Sequence, residues 1–171
     1  AMPASRRHVS LTGLDVGENQ LTDASCNVVA DVIANAPEFH TLVLRGFLFE
    51  PTRISDAGGK VIARSVARRA ADAEAEGGRR PLMTLELDYQ QVGCGTAAEL
   101  AKCCGSWSRL SLLNTDVSTM GAMMLARACR QRHGGAGGVR LNLAQCRVGA
   151  EAVTLLRGVG FQRLDDHGQR G

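Results

Sequence analysis

Six cysteines and four histidines are the residues of this chain best suited to nucleophilic or metal chemistry, and their spacing supports neither. No C-x-x-C occurs, and the adjacent Cys103 and Cys104 would face different sides of a helix. His8, His40, His133 and His167 fall in a tail, at a strand start, in a Gly-rich loop and at the C-terminus, so no Ser/His/Asp arrangement can be built from them. Gly134-Gly-Ala-Gly-Gly138 precedes an expected strand, whereas a phosphate-binding loop follows a strand and opens a helix; it reads as a flexible loop. No catalytic residue, cofactor site or metal site is expected.

Charge and length narrow the classes further. The formal net charge is +3, with Arg interleaved among Asp and Glu, so no nucleic-acid footprint is expected. Arg64, Arg68, Arg69, Arg79 and Arg80 form a local basic region, read as a solvated helix face, with an acidic partner or anionic surface as the other reading. No run of 18 or more apolar residues exists to span a membrane. Ala1 before Met2 reads as a scar of tag removal, and Met2-Pro-Ala-Ser-Arg-Arg7 lacks the apolar stretch of a secretory signal. A cytoplasmic, reducing location is therefore expected. A chain of 171 residues suits about one domain.

The elements that would position any site come from a unit of about two dozen residues that occurs five times. Its first half reads Leu11-x-x-Leu14-x-Val16-x-x-Asn19-x-Leu21. The same frame gives Phe39, Leu42, Leu44 and, after an insertion, Ile54; then Leu82, Leu85, Leu87, Gln90 and Val92; then Trp107, Leu110, Leu112, Thr115 and Val117. The fifth copy has Gly138 in the leading position, then Leu141, Leu143, Cys146 and Val148. A second register follows in phase: small residues at Ser25, Gly58, Thr96, Gly121 and Ala152, apolar ones at Val29, Ile62, Leu100, Leu125 and Leu156, and a further line at Ile33, Val66, Cys104, Cys129 and Gly160. L-x-L marks one face of a short strand, and spacings of three and four mark one face of a helix. Each unit is thus expected to be a strand, a turn and a helix.

This double register resembles the leucine-rich repeat family, in its ribonuclease-inhibitor-like subclass, over residues 9–160. The resemblance implies an α/β solenoid, a horseshoe segment with a parallel β-sheet on the concave face and α-helices on the convex face. The expected divisions are an N-terminal tail over 1–8, one repeat domain over 9–166 and a C-terminal tail over 167–171. Repeats lie near 11–36, 39–69, 82–105, 107–132 and 138–160, with a partial sixth over 161–166. Within this frame Cys26, Cys104 and Cys129 take inward helix positions and Cys146 the family's Asn/Cys turn position, so they read as buried structural thiols. Cys104 and Cys129 are equivalent in consecutive repeats and close enough to bond under strong oxidation, which a reducing compartment does not favour.

The longest step, Leu42 to Leu85, contains two insertions. One, near Phe47 to Arg53, lies between strand and helix; the other, near Ala70 to Pro81, lies between helix and next strand. Arg130 to Gly138 forms a third irregular stretch. All three read as loops. Phe47-Leu-Phe49-Glu-Pro51 either folds back on the helices or exposes an apolar patch for a partner.

Period-two alternation turns the residues between the leucines outward. Asp15, Val43, Glu86, Ser111 and Asn142 form the middle line, flanked by Gly17, Arg45, Asp88, Leu113 and Ala144 on one side and Gly13, Thr41, Thr84, Arg109 and Arg140 on the other. The candidate partner-binding residues are therefore Asp15, Arg45, Glu86, Asp88, Tyr89, Arg109, Ser111, Arg140 and Asn142, with Phe47 and Phe49 of the insertion as the alternative site. The resemblance implies a scaffold or adaptor module that binds another protein. A regulator of a small GTPase, similar to the Ran GTPase-activating protein, is the alternative, and a cysteine-based redox sensor ranks behind it. The ragged sixth unit, Phe161-x-x-Leu164-x-Asp166, suggests a weak homodimer through the C-terminal end.

Overall fold

A computed structural model describes residues 10–47, 53–75, 83–133 and 139–157. Strand and helix alternate throughout: β1 (Gly13–Asp15), α1 (Asp23–Asn35), β2 (Thr41–Val43), α2 (Asp56–Ala75), β3 (Met83–Glu86), α3 (Cys94–Lys102), β4 (Trp107–Ser111), α4 (Thr119–His133), β5 (Arg140–Asn142) and α5 (Ala150–Arg157), with a 3-10 turn at Cys104–Ser106. The five strands form one parallel sheet in chain order. Each helix packs on the next one in the chain, so the helices form a second layer.

The register is the one that the L-x-L frame requires. Leu14, Leu42, Leu85, Leu110 and Leu141 are matched across the sheet, and the residues on either side match as well. From Leu42 onward these leucines are buried, together with Leu44, Leu87, Leu112 and Leu143. They meet Val29, Ile62, Leu100, Leu125 and Leu156 from the helices in one continuous core. Leu14, Val16 and Leu21 are only partly buried, because β1 is an edge of the sheet.

Pairing continues past the strands into the turns. The N–H groups of Glu18, Gly46, Tyr89 and Asn114 each donate at 2.8 Å to a carbonyl of the following unit, at Arg45, Asp88, Leu113 and Ala144. Four equivalent turn residues, Glu18, Tyr89, Asn114 and Gln145, have positive φ between 51° and 60°. For a non-glycine residue that conformation costs about 1–2 kcal/mol, offset at Glu18, Tyr89 and Asn114 by these hydrogen bonds. The second unit has Gly46 at this place, where a Cβ would lie 2.6 Å from the Tyr89 carbonyl oxygen.

A second series ties the helix starts together. Asp23 Oδ1, at the start of α1, accepts the Ser55 N–H just before α2 at 2.8 Å. Asp56, at the start of α2, accepts Gly93 N–H and Thr96 N–H at the start of α3. Cys94 Sγ lies 3.0 Å from Ser118 Oγ, and Thr119 Oγ1 accepts the Gly149 N–H at 2.8 Å. Each helix thus satisfies polar groups at the entrance of the next, groups that a helix N-terminus otherwise leaves open.

Several expectations are corrected. Ala70 to Ala75 belongs to α2 rather than to a loop, because this alanine-rich stretch carries no glycine or proline before Gly77. Arg130 to His133 is likewise the last turn of α4. Cys104 stands outside α3, in the 3-10 turn, where Gly105 and Ser106 are poor helix formers; it stays buried. Arg69 is not on a solvated face: it is buried and donates to the carbonyls of Phe39 and Pro37. Arg64 and Arg68 are exposed, Arg64 pairing with Glu99, while Arg79 and Arg80 lie outside the described residues. The leading position expected at Leu82 also lies outside them, and its neighbour Met83 is buried and paired with Trp107. Cys104 and Cys129 are not two free thiols; they are joined in a disulfide with Cα atoms 5.7 Å apart. Their equivalent places in neighbouring units bring the two backbones into bonding range. Phe49, residues 1–8 and the partial sixth unit over 161–166 lie outside the described residues. Among the described residues no helix is long and apolar enough to cross a membrane.

Candidate functional site

One face of the sheet is covered by the helices; the other presents the side chains between the core leucines. Asp15, Arg45, Glu86 and Arg109 meet there in a line of alternating charge. Arg45 lies 3.9 Å from Asp15 Oδ2 and 3.6 Å, through Nε, from Glu86 Oε2. Arg109 lies 3.4 Å from Glu86 Oε1. Glu86 is the hinge of this network, with its side chain 15% exposed against 43% for Arg45 and 50% for Arg109. Exposed pairs of this kind contribute about 0–1 kcal/mol each, so the line orders side chains more than it stabilises the fold.

Two expected contact residues are buried. Asp88 is buried, and its Oδ1 accepts the Leu113 N–H at 2.9 Å. Ser111 is fully buried and accepts from Asn142 Nδ2 at 3.1 Å. The alternation rule gives the direction of a side chain but not how far its neighbours cover it, and Ser111 is a short residue between Glu86 and Asn142 in the same row. Val43 is buried in that row too. Tyr89 is half-buried at its positive-φ turn, Asn142 is half-buried, and Arg140 is exposed. Phe47 is 47% exposed, whereas Leu48 to Pro51 of the insertion lie outside the described residues.

The residues at the Asn/Cys turn position are occupied with the backbone. Asn19 Nδ2 donates to the Val16 and Gly17 carbonyls, and Thr115 Oγ1 to that of Leu112. Gln90 reaches back into the second unit, where it donates to the Leu44 carbonyl and accepts from Ile54 N–H. Cys146 Sγ bonds the Leu112 carbonyl, and burial pushes its thiol up. Burial, with the Asp23 charge beside it, also raises the Cys26 thiol to about 11. Neither is a nucleophile at neutral pH.

Sequence reasoning missed the acceptors at the helix starts. Burial pushes the Asp56 carboxyl up, but hydrogen bonds from the Thr96 side chain and backbone, Gly93 and Lys60 outweigh it and lower the pKa to about 2. At the equivalent place in the next unit, burial also raises Cys94, and hydrogen bonds from Ser118 and Gly121 outweigh it and hold the thiol below its ordinary value. The readable signal was the line Thr22, Ser55, Gly93, Ser118 and Gly149, all residue types that favour a helix entrance.

On α4, Met120, Met123, Met124 and Arg127 line an open hollow with Ser118 and Thr119. Among the described residues no group of three or more His, Cys, Asp and Glu is placed to hold a metal ion. The sheet face carries the ion pairs and side-chain hydrogen bonds just described. No protein-family model and no curated protein matches the chain.

Proposed function

We propose that this chain is a leucine-rich-repeat solenoid of the ribonuclease-inhibitor-like kind, acting as a protein-recognition module through the open face of its sheet. The observation that carries this reading is the in-register row of polar side chains on that face, with Arg45, Glu86 and Arg109 held in one ion-pair line. A row of mixed charge, ordered before a partner arrives, lowers the side-chain entropy lost on binding and selects partners by charge. The phased strand and helix registers, and the turn residue repeated at the same place in successive units, support the repeat assignment. No chemistry of its own is assigned to the module.

The test is affinity capture from the source cell with wild-type protein, Glu86→Arg and Phe47→Ser, followed by mass spectrometry. A partner held by wild type and Phe47→Ser but lost with Glu86→Arg is the expected result. Capture that survives Glu86→Arg and fails with Phe47→Ser would move the site to the loop after β2.

A further inference from the structure

The charges of the open face do not balance evenly along it. Arg109 and Arg140 stand directly opposite each other on β4 and β5. Neighbouring strands are about 4.8 Å apart, and like charges at opposed positions repel. On its other side Arg109 has Glu86 as counter-charge, but that carboxylate already shares itself with Arg45. Arg140 is exposed, and its side chain has no ion pair or hydrogen bond among the described residues. Among the described residues the accessible charges of the face are thus two carboxylates, Asp15 and Glu86, against three guanidinium groups, since Asp88 is buried with its Oδ1 held by the Leu113 N–H, and the guanidinium without an ion pair is at the β5 end.

Among the described residues the polar side chain next to Arg140 on this strand face, Asn142, has a donor to offer. Asn142, two residues along the same strand face, commits one amide hydrogen to Ser111 Oγ and its oxygen to Ala144 N–H, leaving a second amide hydrogen. Two guanidinium groups and an amide N–H make a patch suited to a ligand that is negative and accepts hydrogen bonds at two atoms, which describes a carboxylate. A long polyphosphate running across the strands would meet Glu86 and Asp15 within the next strands, and these repel it. A short acidic stretch need not cross them.

Resting on the reading of this face as the recognition surface, we infer that its β4–β5 end, centred on Arg109 and Arg140, binds the carboxylates of an acidic peptide segment in the protein partner.

The experiment is a fluorescence-anisotropy titration with labelled hexaglutamate, alongside hexalysine and a six-nucleotide oligothymidylate. Hexaglutamate should bind saturably, more weakly as salt rises, and better than either comparison probe. Arg140→Glu and Arg109→Gln should each weaken it about tenfold, with unchanged circular dichroism, whereas Arg127→Glu on α4 should leave it unaltered. Equal binding by wild type and Arg140→Glu, or tighter binding of the oligonucleotide through the same arginines, would overturn the inference. Absence of hexaglutamate binding would overturn it too, and face-dependent capture of a cellular partner would then still stand. Capture indifferent to Glu86→Arg, with hexaglutamate bound at Arg140, would instead remove only the broader reading.

Discussion

Asp88 faces the side of the sheet on which a partner would sit, yet its carboxylate oxygen accepts the backbone N–H of Leu113 at 2.9 Å and the residue is 6% exposed. Its role is to hold β3's exit against β4's, and that sets it apart from Glu86 in the adjoining row. Asp88→Ala should destabilise the protein by about 1–3 kcal/mol, the loss of a part-buried hydrogen bond to a charged group. Glu86→Gln should cost no more than about 1 kcal/mol. Urea titrations of both variants decide the matter, and equal midpoints would mean that Asp88 is free to contact a partner.

Asp56 makes stability depend on acid. Its folded-state pKa of about 2 lies below the usual carboxylate value near about 3.9, so its contribution is complete above the unfolded value and is lost as pH falls through the folded one. Thermal melts between pH 5 and pH 2 should therefore show a decline that Asp56→Asn flattens. At neutral pH, Asp56→Ala should cost about 0.5–2 kcal/mol, as for other residues at helix entrances.

Leu112 is fully buried, and its neighbour Ser111 faces the other side of the sheet. Leu112→Ala should cost about 2–5 kcal/mol through lost burial and the remaining cavity. Ser111→Ala removes only the acceptor for Asn142 and should cost about 0.5–1.5 kcal/mol. If denaturant midpoints put the larger loss at Ser111, the strand register is displaced by one residue.

The Cys104–Cys129 bond closes a loop across 25 positions and leaves Cys26, Cys94, Cys103 and Cys146 as thiols. Thiol titration of the unfolded, unreduced protein should count four groups, and six after reduction. Replacing either cysteine by Ala should lower stability by about 2–4 kcal/mol relative to the oxidised protein. A count of six before reduction would mean that the bond does not form in solution.

The strand register was legible from Leu14, Leu42, Leu85, Leu110 and Leu141, because a two-residue period leaves only one way to bury them together. The helix layer was legible in its centre, where Val29, Ile62, Leu100, Leu125 and Leu156 repeat in phase, but not at its ends. Ala70 to Ala75 adjoins the Gly77-Gly78 break, and loop and helix compete there on local propensity alone. The pairing of Glu86 with both Arg45 and Arg109 was out of reach, since it depends on how far three side chains extend across strands. Asp56 was missed for the same reason: its partners at Gly93 and Thr96 are remote in sequence. Cys104 and Cys129 were legible as neighbours from their shared register position, but the bond between them was not, since an argument about compartment carries no geometry.

The ties between helix starts run one way. Asp23 serves α2, Asp56 serves α3, Cys94 serves α4 and Thr119 serves α5, whereas Ala150 has no side-chain acceptor to pass on. A chain made from its N-terminus meets this order favourably, since each helix leaving the ribosome finds its acceptor already in place on the helix before it. Loss of the first unit strips α2 of the Asp23 acceptor; loss of the last removes the donor to Thr119 Oγ1, together with the β4–β5 pairing and the core contacts of Leu141, Leu143 and Leu156. In these ties the assembly is vectorial: truncation from the front takes an acceptor from a helix that stays, and truncation from the back does not.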